Sequence, residues 1–130
     1  MLSKLSVALL FVVGLINFLP VIGVLSGAKI AQTYAVELAS NDLIILMRHR
    51  ALLFGLVGGF VLYSIFEPQF QTAALAMAGI SMLGFLVIMY SVGGYNASIN
   101  KVAMVDIVGI VCLILVIILK VVKSVKEPAL

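Results

Sequence analysis

Four uninterrupted apolar runs constrain this chain more than anything else in it. They extend from about Leu5 to Leu25, Leu43 to Phe66, Thr72 to Tyr90 and Val102 to Leu119. A helix needs roughly 20 mostly apolar residues to cross the hydrocarbon of a bilayer. The runs are continuous rather than alternating, so they read as helices and not as strands. Lipid also demands helices, because a spanning helix satisfies its own backbone hydrogen bonds. The 130 residues are 65% hydrophobic and 10% charged, whereas a soluble domain is about 25% charged. A chain this short could not hide so much apolar surface from water. The expectation is an all-α fold: an integral-membrane, antiparallel four-helix bundle in a single domain over residues 1–130.

The connections refine this picture. Lys4 and Leu25-Ser26-Gly27-Ala28 give the first run some likeness to a signal peptide. Its apolar stretch is longer than a usual signal core, so it is expected to remain as a span. Between the first and second spans, Ala28 to Leu38 places Ile30, Tyr34 and Leu38 four residues apart. That spacing predicts a short amphipathic helix lying flat on the interface. Ser40-Asn41-Asp42 is a helix-start signal for the second span. Glu67-Pro68 breaks the chain before the third, and Gly93-Gly94 with Asn96 marks a turn before the fourth. Short links make successive helices antiparallel neighbours.

The formal charge is +3, with the basic excess at the C-terminus in Lys120, Lys123 and Lys126. This suits membrane topology and attraction to anionic lipid better than nucleic-acid binding. With Lys4 on the same side, the bias predicts cytoplasmic termini in a bacterial inner membrane, with Lys29 and Lys101 on the opposite side. The lone Cys112 sits in an apolar run and reads as a small buried hydrophobe. Met77, Met82 and Met89 read as gap-fillers, Ala74, Ala78 and Ser81 as packing positions, and Tyr34, Tyr63, Tyr90 and Tyr95 as interfacial aromatics. Asn96-Ala97-Ser98 fits a glycosylation sequon, which has meaning only where glycosylation occurs. No metal or cofactor is expected. There is no phosphate loop, no GxGxxG and no Ser/His/Asp arrangement, so the chain is not read as an enzyme. The first span has no acidic residue, unlike small multidrug-resistance exporters.

The informative polar stretch is Arg48-His49-Arg50. Charges inside a span usually face protein or a wet cavity. Arg48 shares a predicted face with Leu52, Gly55 and Gly59, and Gly55 and Gly59 form a GxxxG pattern for close helix contact. Arg48 is therefore expected to point into the bundle, with Arg50 snorkelling outward on another face. Asp106 in the fourth span lies at matching depth and is the expected partner of Arg48. Asn17 could join the same level, and Pro20 could kink the first span. The expected cluster is thus Asn17, Arg48, His49 and Asp106. It reads either as a structural latch or as a pocket for a ligand, with a proton path as a third possibility. His49 beside two cations is a poor metal ligand without a second donor.

The stretch Leu46-Met-Arg-His-Arg-Ala-Leu-Leu-Phe-Gly-Leu-Val-Gly-Gly59, followed by Lys101-Val-Ala-Met-Val-Asp106 and preceded by Asn17-x-x-Pro20, resembles a family of small bacterial four-helix inner-membrane proteins. Such proteins often carry the label phosphopantetheine adenylyltransferase. That enzyme is a soluble α/β nucleotidyltransferase with a phosphate-binding histidine motif, and neither is legible here. The architecture is also similar to DoxX-like proteins, some of which are tied to quinone-linked electron transfer. The expectation is a non-enzymatic inner-membrane protein acting through protein or lipid contacts, as a homo-oligomer or an accessory subunit of a membrane complex. The alternative is binding or transport of a small amphipathic ligand, such as a lipid, isoprenoid or quinone, at an outer-leaflet pocket of Arg48, Asp106 and His49.

Overall fold

Each apolar run becomes a helix whose ends are set by local chemistry. The structure is a computed structural model that describes residues 2–128. Of the single domain expected over 1–130, Met1, Ala129 and Leu130 lie outside the described residues. The first helix, α1, spans Leu2–Phe18 and continues as a 3-10 helix over Leu19–Leu25. Pro20 near the start of that segment explains the change. Proline has no N–H for the α-helical ladder and its ring clashes with the preceding turn, so the chain tightens into 3-10 form.

Helix α2 spans Gly27–Tyr34, with the Ser26 hydroxyl accepting from Lys29 N at 3.3 Å. It is shorter than the predicted Ala28–Leu38. Ala35 takes the left-handed conformation at φ 50° and ends it, while Val36 N donates to Ala31 O at 3.1 Å. Periodic apolar spacing carries on past a helix end that the backbone itself decides, so Leu38 falls in the loop. Helix α3 spans Asn41–Phe66, started by the Ser40 hydroxyl accepting from Leu43 N at 3.2 Å. Helix α4 spans Gln71–Val92, after a short 3-10 turn at Pro68–Phe70, and stops at Gly93 with φ 68°. Helix α5 spans Ala97–Lys126, capped by Asn96 Oδ1 accepting from Ile99 N at 2.9 Å. It exceeds the predicted 102–119 at both ends. Hydropathy marks only the apolar part, whereas the cap and the helix-compatible polar flanks set the full length.

Among the described residues the secondary structure is helical, and four helices are long and apolar enough to cross a membrane. Helix α1 packs against α3 and α5, its 3-10 extension packs against α3, and α4 packs against α3 and α5. The core joins Leu10 and Val13 of α1, Val61 of α3, Ala74, Ala78 and Met82 of α4, and Leu113 and Val116 of α5. Met82 and Met89 are buried as expected of gap-fillers, but Met77 is exposed. Ala74 and Ala78 are fully buried packing positions. Lys120 does not stand free with Lys123 and Lys126. Its Nζ donates to Gln71 Oε1 at 2.7 Å, and Gln71 Nε2 donates to Ser64 O at 3.1 Å, tying α5, α4 and α3 together at that end.

The closest approach is between α1 and α3. The buried stripe of α3 is Ala51, Gly55, Gly58, Val61 and Ser64. A Cβ at Gly58 would meet the backbone of Phe18 and Asn17, and one at Gly55 would meet Val21. Gly59 touches only the Phe18 ring, at 3.9 Å from where its Cβ would be. The expected Gly55/Gly59 pair is therefore corrected to Gly55/Gly58. One residue is about 100° around a helix, so the correction rotates the inward face of α3.

Candidate functional site

Beside this stripe, a neighbouring face of α3 carrying Met47, Arg50 and Phe54 borders a cavity. On α1, α3 and α5 the packed core lies toward one end and a cavity toward the other: Val13 against Asn17, Val61 against Phe54, Leu113 against Asp106. The cavity has a volume of about 780 Å³. The 3-10 segment contributes Leu19, Pro20 and Ile22, α2 contributes Lys29, Ile30 and Tyr34, α3 contributes Met47, Arg50 and Phe54, and α5 contributes Lys101, Val105 and Asp106. Phe85 closes it from α4.

Arg50, not Arg48, faces this space. Arg50 and Asp106 each stand nine residues beyond the first residue of their helix, roughly 13 Å along the axis at about 1.5 Å per residue. Both line the cavity, and Arg50 is near enough to act electrostatically on Asp106. The Arg50 guanidinium carbon sits 4.6 Å from the centre of the Phe54 ring, 5.5 Å from Tyr34 and 6.0 Å from Phe85. Cations at such distances are attracted by the ring quadrupoles. Phe54 is four residues after Arg50, so the helix itself brings this pair together.

Arg48 is exposed and outside the cavity lining. Its Nε donates to Val24 O of the 3-10 segment at 2.7 Å. This carbonyl lies at the end of a 3-10 helix, where acceptors lack intrahelical donors. The expected Arg48–Asp106 pair is thus replaced by a cavity-facing Arg50–Asp106 arrangement, and the roles of the two arginines are exchanged. His49 is exposed and also lies outside the lining.

Asn17 is where the sequence placed it. It is buried, at 2% exposure, and lines the cavity. Its Nδ2 donates back along α1 to Val13 O at 2.9 Å rather than to a charged partner. No buried side-chain N or O atom among the described residues lacks a hydrogen-bond partner. The Asn17 Oδ1, which takes no hydrogen bond there, therefore opens on the cavity.

Helix α2 forms a roof. Its C-terminal end is held by Asn96, whose Nδ2 donates to both Tyr34 O and Ala35 O at 2.9 Å. The same side chain caps α5 through Oδ1. One amide thus links the roof helix to the start of α5. Sequence reasoning missed Arg50, Lys29, Lys101 and the aromatic ring set as site residues. The spacing Ala51, Gly55, Gly58 was a usable signal, since small residues at intervals of four and three mark a close-packed face. The site can hold an apolar body and present cationic and amide groups to a polar end. No protein-family model matches the sequence, and comparisons with characterised proteins and with solved structures find no match.

Proposed function

We propose that this chain is a multi-pass membrane protein that binds a small amphipathic molecule in the cavity beneath α2, acting by binding rather than by catalysis. One observation carries the reading: Arg50 and Asp106 border an open space of about 780 Å³ lined by both apolar and polar side chains, the apolar ones predominating. A latch would bring guanidinium and carboxylate together and fill the space between them. Ligand pockets are mostly apolar clefts of about 300–1,000 Å³ with a few placed polar groups, and this cavity fits that description.

The membrane reading is supported by helix lengths of 22, 26, 25 and 30 residues in the candidate spans. It is supported also by apolar side chains turned outward, such as Ile80 at 73% exposure. In water such surface would drive aggregation, whereas lipid covers it. The basic residues Lys4, Lys120, Lys123 and Lys126 support cytoplasmic termini in an inner membrane, and in that orientation the cavity opens toward the outer leaflet.

The experiment is lipid extraction and mass spectrometry of the protein purified in mild detergent. One amphipathic compound should co-purify with the wild type, enriched over bulk lipid. It should be depleted from Val105→Trp, which fills the cavity from a half-exposed wall position. Equal retention by Val105→Trp, or no enriched compound, would sink the proposal. A protein partner retained in place of any such compound would return the function to a subunit acting through protein contacts.

A further inference from the structure

Arg50 is held among aromatic rings without a hydrogen-bonded acceptor among the described residues. The rings of Phe54, Tyr34 and Phe85 lie around its guanidinium. Aromatic rings attract the cation but take no strong hydrogen bond from it, so its N–H donors stay available for a planar acceptor. Among the described residues no acceptor takes a hydrogen bond from Arg50, and none of its nitrogens is a buried orphan. Its donors are therefore presented to the cavity. Lys29 and Lys101 line the same cavity from exposed positions on α2 and α5. Asp106 is the one carboxylate against these three cations, so the lining carries a cationic surplus of two.

We propose that the bound molecule carries a phosphomonoester head on a single hydrocarbon chain. This rests on the cavity-binding reading above and adds the chemistry of the ligand. A phosphomonoester bears about −1.5 to −2 charge at neutral pH with three acceptor oxygens, which matches the surplus. A carboxylate or a phosphodiester would leave a cation unmatched. Arginine pairs with phosphate through two parallel N–H···O bonds, and lysine adds point charge. The apolar wall of Leu19, Ile22, Phe54 and Val105 accepts the chain. The volume lies in the range that encloses drug-sized ligands, which favours one hydrocarbon chain over the two acyl chains of a bulk phospholipid.

The test uses the full chain in nonionic detergent, with native mass spectrometry as readout. The probes are dodecyl phosphate, dodecanoate, dodecanol and inorganic phosphate. Dodecyl phosphate should bind at least about tenfold more tightly than each of the others, and less tightly as salt rises. The double variant Lys29→Gln/Lys101→Gln should lose about tenfold for dodecyl phosphate and leave dodecanol unchanged. Equal binding of dodecanol or dodecanoate and dodecyl phosphate would overturn the phosphomonoester while leaving the cavity reading intact. Inorganic phosphate binding as tightly as dodecyl phosphate would overturn the amphiphile in favour of a free-anion site. Failure of all four probes would sink the cavity reading itself.

Discussion

Substitution of Gly58 by alanine tests the central packing contact of this bundle. A Cβ built there would lie 2.5 Å from Phe18 Cα and 2.7 Å from Asn17 C. Ordinary contact begins near 3.4 Å, so the end of α1 must retreat by close to an ångström. These are backbone atoms, which cannot swing aside as a side-chain tip can. Overpacking of this kind costs about 1–3 kcal/mol, and the rigid neighbours place it at the upper end. Alanine recovers up to about 1 kcal/mol in helix propensity, which leaves a net loss of roughly 2 kcal/mol. Gly59→Ala is the internal control. Its Cβ would meet only the Phe18 ring carbons at 3.9 Å, so propensity alone acts and stability rises by up to about 1 kcal/mol. The two variants should therefore differ by roughly 3 kcal/mol, although they are adjacent and chemically identical changes. Unfolding in mild detergent, followed by circular dichroism, measures the difference. Asn17 belongs both to this contact and to the cavity lining, so Gly58→Ala should also lose the bound compound while Gly59→Ala keeps it. If Gly58→Ala matches wild-type stability, or Gly59→Ala is the more damaging change, the account of the α1–α3 interface is wrong.

Three further outcomes follow from named contacts. Arg48→Ala removes the Nε donation to Val24 O and should lower stability by only about 1 kcal/mol, because the bond is exposed, with no effect on ligand retention. A loss several times larger would restore Arg48 to the interior. Asn96→Ala removes the cap of α5 and both bonds to the end of α2; a cap alone is worth about 1 kcal/mol. Amide exchange in Gly27–Tyr34 should accelerate more than exchange elsewhere, and uniform acceleration would show that Asn96 does not hold the roof. Ala35→Gly relieves the left-handed conformation at φ 50° and should stabilise by up to about 1 kcal/mol in thermal unfolding, since a side chain there costs about 1–2 kcal/mol. A destabilised variant would mean that the turn does not carry this strain.

The helices were legible because their signals are local. Apolar runs, Ser40, Asn96, Glu67-Pro68 and Gly93 act through their own backbone neighbours, and the observed helices start and stop at them. The depth of Asp106 was legible for the same reason, as residue counting along a regular helix measures height. Asn17 reached the expected level by that same counting. The arginine that borders the cavity with Asp106 was misread because the inward face of α3 was inferred from Gly55 and Gly59, whereas the cavity is bordered by a neighbouring face carrying Met47, Arg50 and Phe54.

The sequence by itself determined an all-helical chain with four long apolar helices. It determined these because helix length, caps and hydropathy depend on residues a few positions apart. Tertiary structure alone decided that Gly58 meets the backbone of α1, that Arg50 borders the cavity while Arg48 binds Val24 O, and that open space adjoins Asp106, where the sequence left a latch and a pocket both open. Those outcomes depend on how one helix is rotated against another. Rotation is set by steric fit between residues dozens of positions apart, here Gly58 against Asn17 and Phe18, and no local periodicity encodes that fit.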